Sequence, residues 1–276
     1  MPEPSPDHSE LFVGPEGTSY VAMFGDPSHP PVVLLHSGGM SGKQWRRAVS
    51  ELRSDWRVIV LDGLGMGQSP PWPQERPFHF QQDVRQLSAL LDRLHAPAHL
   101  VGHSYGGLLA LSVARTRPVA SVAAYEPAAF GALAEAGDPS FQEVFALSED
   151  HRVRARGPGW SEGWMRSFVD YWNSKGAWDC LADSARAEYL RIHHKLEREV
   201  ETLLTDRTAA AAYGVYDSPT LLMLGERSPR PARQVVLRLH HALPNAALEI
   251  VAGAGHLGPL THARKIVARL REHLSA

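Results

Sequence analysis

The sequence predicts a doubly wound α/β fold, a mostly parallel sheet with helices on both faces and one helical insertion. Three observations carry this. Short, strongly apolar runs bounded by Gly, Pro or Asp recur along the chain, helical stripes lie between them, and a single long stretch interrupts the alternation. Runs apolar at nearly every position suit strands buried on both faces, and strands alternating with helices imply parallel βαβ units.

In chain order, "ELFVGP" (10–15) and "SYVAMFG" (19–25), separated by "EGT", predict an antiparallel hairpin leading into the sheet. The runs "PPVVLLHS" (30–37), "WRVIVLD" (56–62), "AHLVGHS" (98–104) and "VASVAAYE" (119–126) predict the next four strands, and "SPTLLMLG" (218–225) and "AALEIVAG" (246–253) the last two. Trp45, Val49 and Leu52 recur at helical spacing, as do Phe80, Val84, Leu87, Leu91 and Leu94, and at the far end Ile266, Leu270 and Leu274. From about 131 to 213 no strand is predicted, and Trp160, Trp164, Trp172 and Trp178 lie there. This segment reads as a helical insertion into a core formed by residues 1–130 and 214–276. Its charge-rich "HHKLEREVE" (193–201) reads as a solvated helix face, with His193 and His194 at the surface.

A chain of 276 residues, 43% hydrophobic, can bury a sizeable core. Its formal charge of −2 provides no basic field for nucleic acid or an anionic membrane, so a small-molecule or peptide partner is expected, and a small-molecule substrate above all. The start "MPEPSPDHSE" reads as a frayed polar tail of a soluble protein, and no run approaches the roughly 18 apolar residues of a membrane span. The lone Cys180 cannot form an internal disulfide, which points to a reducing compartment, by default the cytoplasm. No His/Cys/carboxylate spacing suggests a metal site.

The chemistry concentrates in "LVGHSYGG" (100–107). Gly102-His103-Ser104-Tyr105-Gly106 fits G-x-S-x-G, with an apolar strand before it and the helix-forming "LLALSVARTR" after it. Such a turn forces the serine backbone into an unfavourable conformation, lifts Oγ above the sheet and sets it at a helix N-terminus, where a developing oxyanion is favoured. Ser104 is therefore the expected nucleophile. The glycine-rich "LLHSGGMSGKQW" (34–45) offers a second donor, and the Gly38 and Tyr105 N–H groups are expected to form the oxyanion hole. His36, at the same mouth, would orient that loop. Of fifteen histidines, His256 in "AGAGHLGP" follows the last strand and is the expected base. The acid is less direct, because three residues past Gly225, where an aspartate is expected, stands Ser228. Glu126, ending the strand beside the serine's own, can reach His256; Glu226 and Asp217 are the alternatives.

Together, "HSGG", "DGLGMGQS" (62–69), "GHSYGG" and "GAGH" resemble the α/β-hydrolase superfamily through nearly the whole core, with Ser37 replacing the glycine usual after the loop histidine. The pairing of "YEP" (125–127) with a serine at the usual acid position resembles a branch whose acid has moved to the strand after the elbow helix, which supports Glu126. The resemblance implies the α/β-hydrolase fold, a helical cap over residues 131–213, and a carboxylesterase-type serine hydrolase acting without a cofactor. A lactone or carbon–carbon hydrolase on the same triad, or a receptor-like binder with little turnover, is the alternative. The cap tryptophans would line an apolar pocket or form the cap's own core.

Overall fold

The computed structural model describes residues 4–153 and 160–276, and their side chains except at 148–153 and 160. Eight strands form one sheet: β1 (His8–Gly14), β2 (Gly17–Phe24), β3 (Pro31–Leu35), β4 (Arg57–Leu61), β5 (His99–His103), β6 (Ser121–Tyr125), β7 (Thr220–Gly225) and β8 (Ala246–Val251). Their spatial order is β1-β2-β4-β3-β5-β6-β7-β8. The expected hairpin is antiparallel, with Gly14 opposite Gly17, and β2 is antiparallel to β4. From β4 to β8 every pairing is parallel, so the carboxyl ends of these strands share one edge.

The helices are α1 (Arg46–Leu52), α2 (Phe80–Leu91), α3 (Tyr105–Ala114), α4 (Gly131–Glu135), α5 (Ser140–Val153), α6 (Trp160–Trp172), α7 (Asp183–Thr205), α8 (Arg230–Ala242), α9 (Gly258–Thr261) and α10 (Ala263–Leu274). Successive strand residues face opposite ways, so each buried strand feeds two cores. Val33, Leu35 and Leu100 pack with Leu87, Leu108 and Leu239 from α2, α3 and α8. Val32, Leu34 and Val101 pack with Val49, Leu52 and Leu270 from α1 and α10. The edges depart from the uniform burial expected of the apolar runs: Ile250 on β8 is 55% exposed and Val13 on β1 77% exposed, because an edge strand has no neighbour to extend the covering layer.

Helices α4 to α7 fill the interval between β6 and β7, with no strand among the described residues of 131–213. They carry a small core of their own, in which Trp164, Met165, Val169 and Trp178 meet Ile192 and Leu196. The Asp138–Arg238 ion pair, 2.6 Å, ties the segment to α8. The reading of 193–201 as a solvated face requires correction: Lys195, Leu196, Glu197 and Glu199 are all buried, because this side of α7 lies against the rest of the molecule. His194 is exposed and His193 half-buried.

No helix among the described residues is long and apolar enough to cross a membrane. Cys180 is exposed and free.

Candidate active site

The turn at β5–α3 has the strain its sequence implies. Ser104 lies at φ 52°, ψ −111°, a region that L-residues avoid at a cost of about 1–3 kcal/mol, held by Ser104 N donating to the Tyr125 carbonyl at 2.9 Å. Its glycines are steric necessities. A Cβ on Gly102 would stand 2.3 Å from the Gly106 carbonyl oxygen, and one on Gly106 would stand 2.3 Å from that of Leu35. Gly102→Ala is accordingly expected to lower stability by about 2 kcal/mol or more, read as a fall in Tm by thermal denaturation; an unchanged Tm would show that the turn can open to admit a methyl group.

His256 sits in the loop between β8 and α9, and its Nδ1 lies 2.7 Å from Glu126 Oε2, with both residues buried. A carboxylate accepts only, so Nδ1–H is the donor in this bond. Glu126 follows β6 at φ 46°, another strained position, and its Oε1 accepts from the Gly225 N–H at 2.7 Å and from the Ser228 hydroxyl. Ser228, standing where an aspartate was expected, thus donates to the Glu126 carboxylate instead. Glu226 is exposed and accepts from the Gly253 N–H at 2.9 Å. Asp217 is exposed before β7 begins, at the opposite edge of the sheet from His256. Of the three carboxylates weighed, the fold brings Glu126 to the histidine.

The loop after β3 is fixed by side chains. His36 Nδ1–H donates to the Ser37 carbonyl at 2.8 Å and its Nε2 accepts from the Gly63 N–H at 2.9 Å, while burial holds its pKa below the usual histidine value. This is the orienting part expected of His36. The Ser37 N–H is taken by Gln44 Oε1 at 3.0 Å, which leaves Gly38 as the next amide on the cleft. Tyr105 is the first residue of α3, so its N–H has no carbonyl one turn earlier to bond.

His103, which occupies a variable position of G-x-S-x-G, is fully buried and links the loops. Its Nε2–H donates to the His256 carbonyl at 2.9 Å, while Gln44 Nε2 approaches its Nδ1 at 3.5 Å. The Tyr125 hydroxyl donates to the Gly255 carbonyl at 2.7 Å from the other side. The His256 backbone is therefore anchored at two successive carbonyls.

Ser104, Tyr105, Gly38 and His256 open on one cleft, whose walls include the rings of Phe130, Trp164, Phe168, Trp172 and Tyr189. The Trp172 ring lies 4.5 Å from that of His256. The tryptophans thus divide: Trp164 and Trp172 line the cleft, whereas Trp178 is completely buried in the α6–α7 core, and the Trp160 side chain lies outside the described residues. No group of three metal-ligating side chains occurs among the described residues.

Sequence reasoning also missed a buried charge cluster beside the cleft. Lys195 Nζ donates to Asp83 Oδ2 at 3.0 Å and to Glu199 Oε2 at 2.7 Å, and the Tyr105 hydroxyl donates to Asp83 Oδ2 at 2.7 Å. A signal was present: Glu199 falls at i+7 in the stripe Ile192, Leu196, Glu199, Leu203, so a core-facing α7 carries it inward.

This fold and this site define an enzyme of the α/β-hydrolase type. The chain belongs to the alpha/beta hydrolase family, whose profile it matches over residues 32–270. It is 27% identical over 254 residues to RutD of Pseudomonas syringae pv. syringae, whose name marks it as a candidate carbamate hydrolase, the match covering 89% of this chain and 94% of RutD. Among solved structures, the esterase EaEST from Exiguobacterium antarcticum has a TM-score of 0.78 at 19% identity, covering 98% of this chain and 100% of the other. The enol-lactonase from Burkholderia xenovorans LB400 has a TM-score of 0.75 at 17% identity, covering 97% and 100%. At these identities the two structures share the fold, and substrate does not follow from it.

Proposed function

We propose that the protein is a serine hydrolase that cleaves a carboxylic ester, or a related acyl bond, of a small apolar substrate through an acyl-enzyme. The observation that carries this reading is the 2.7 Å His256–Glu126 hydrogen bond, set on the same cleft as a strained serine. In it, Ser104 is the nucleophile, His256 the base and Glu126 the acid, with Gly38 and Tyr105 as oxyanion donors and residues 131–213 as a cap.

His256 Nε2 takes the Ser104 proton as Oγ attacks the carbonyl carbon, and the two N–H groups receive the negative charge on its oxygen. Glu126 fixes the imidazole tautomer and stabilises the imidazolium. His256 gives the proton to the alkoxide as its bond to the acyl carbon breaks; it then takes a proton from water as the water oxygen adds to that carbon, and passes it to Oγ as the acid leaves and Ser104 is restored. The steps use side chains and backbone amides of this chain together with one water, and no cofactor is called for. The aromatic walls favour an apolar acyl group.

Steady-state hydrolysis of p-nitrophenyl esters, from acetate to decanoate, tests this together with labelling by a fluorophosphonate. The expected result is turnover that stops when the phosphonate adds one adduct, mapped by mass spectrometry to the Ser104 peptide. Folded protein that neither turns over any ester nor takes up the label would overturn it in favour of carbon–carbon cleavage or ligand binding without turnover.

A further inference from the structure

The charge cluster under α7 contains two carboxylates and one ammonium. Asp83, Lys195 and Glu199 are each at most 3% exposed, and Lys195 is shared between the acids. The partners of Asp83 are spoken for: the Leu64 N–H donates to Oδ1 at 3.0 Å, and Tyr105 and Lys195 both donate to Oδ2. Glu199 differs. Its Oε2 takes Lys195, while its Oε1 has no hydrogen-bond partner among the described residues, and Glu199 is part of the cleft wall. A Cβ built on Gly38 would lie 2.4 Å from this Oε1, so the free oxygen lies against the loop expected to receive the oxyanion.

A buried carboxylate with an unused acceptor and half a counter-charge is costly. It also opposes an oxyanion forming beside it. Burial raises the Glu199 carboxyl to about 7 despite the Lys195 ammonium, so a second positive charge beside Oε1 would favour its ionised form. The other titratable groups beside the cluster do not supply it: burial lowers the pKa of His36 and raises those of the Tyr105 and Tyr189 hydroxyls.

We propose that Glu199 Oε1 is a recognition site for an ammonium group carried by the substrate within a few bonds of the scissile carbonyl. The substrates would be amino-acyl esters, or acyl compounds of like chemistry. This rests on the serine-hydrolase reading for the place of the carbonyl. The ammonium donates to Oε1, completes the charge balance of the cluster and removes the repulsion from the oxyanion.

Binding to the Ser104→Ala protein at pH 8, followed by tryptophan fluorescence from the cleft, requires no turnover and so tests recognition apart from hydrolysis. The probes are β-alanine ethyl ester, its neutral isostere ethyl butanoate, and N-acetyl-β-alanine ethyl ester, which lacks the charge. The ammonium ester is expected to bind at least about tenfold more tightly than either neutral one, as a charge-assisted hydrogen bond implies. In Ser104→Ala/Glu199→Gln that advantage should fall below about twofold. Equal affinities, absence of saturable binding of the ammonium ester, or an advantage that survives Glu199→Gln would each overturn the proposal. Should the double variant not fold, the three-ester comparison in Ser104→Ala decides alone. Wild type inert toward every ester, with the ammonium preference intact, would instead sink the hydrolase reading.

Discussion

Ser104→Ala is expected to lower kcat on p-nitrophenyl esters by about 10⁶-fold, and Glu126→Gln by about 10³- to 10⁴-fold. The first removes the Oγ that the proposed mechanism acylates. The second keeps size and shape: the amide oxygen can still accept from the Gly225 N–H and the Ser228 hydroxyl, as Oε1 does now. Its NH₂, however, would face His256 Nδ1 across the present 2.7 Å contact. Two donors cannot share that position, so the imidazole must move its proton to Nε2, the nitrogen that has to accept from Ser104. Glu226→Gln, at an exposed loop carboxylate bonded to the Gly253 N–H, should stay within about twofold of wild type. Steady-state kinetics of the three variants separates the roles. Full activity in Glu126→Gln with collapse in Glu226→Gln would transfer the acid to the β7 loop.

Lys195→Met is expected to cost about 3–5 kcal/mol of stability at pH 8, measured by urea unfolding. Methionine nearly matches the length of lysine and can fill its space against Phe78 and Tyr105, so packing changes little. Asp83 and Glu199 would be left buried together without the ammonium that now bonds both. The sign of the pH dependence follows. Glu199 already titrates near 7, above the 4.5 of an unperturbed glutamate, and loss of Lys195 raises it further. A carboxyl whose folded pKa is raised destabilises increasingly as pH rises above its unfolded value, and protonation relieves it as pH falls. The deficit should therefore be largest at pH 8 and narrow toward pH 5. A deficit that is absent at pH 8, or that is the same at both pH values, would mean the cluster carries no charge conflict.

Much of this molecule was legible in the sequence because its signals are local. Each apolar run became a strand, since a segment buried on both faces must pair its backbone groups sideways with neighbouring strands. Ser104 was legible because G-x-S-x-G between a strand and a helix constrains a five-residue turn whose glycines face backbone at 2.3 Å. His256 could be placed from order alone, following the last strand at the edge where parallel strands end.

Glu126 lies between the two cases. The sequence put it at the end of β6 as one of three carboxylates, and the choice among them depended on β6 and β7 lying side by side, which brings Gly225 and Ser228 to its carboxylate. His103, Gln44 and the Asp83–Lys195–Glu199 cluster were decided by tertiary structure alone. Lysine and glutamate four apart on a helix read as a solvated pair, and that reading fails here because α7 lies against α2 and the elbow, where these side chains find partners up to 112 positions away. The sequence by itself determined the strands, the elbow and the order of the loops, through periodicity and steric need within a few residues. Only the tertiary structure decided which acid meets the histidine and which charges are buried, because burial and pairing depend on distances in space that no local pattern encodes.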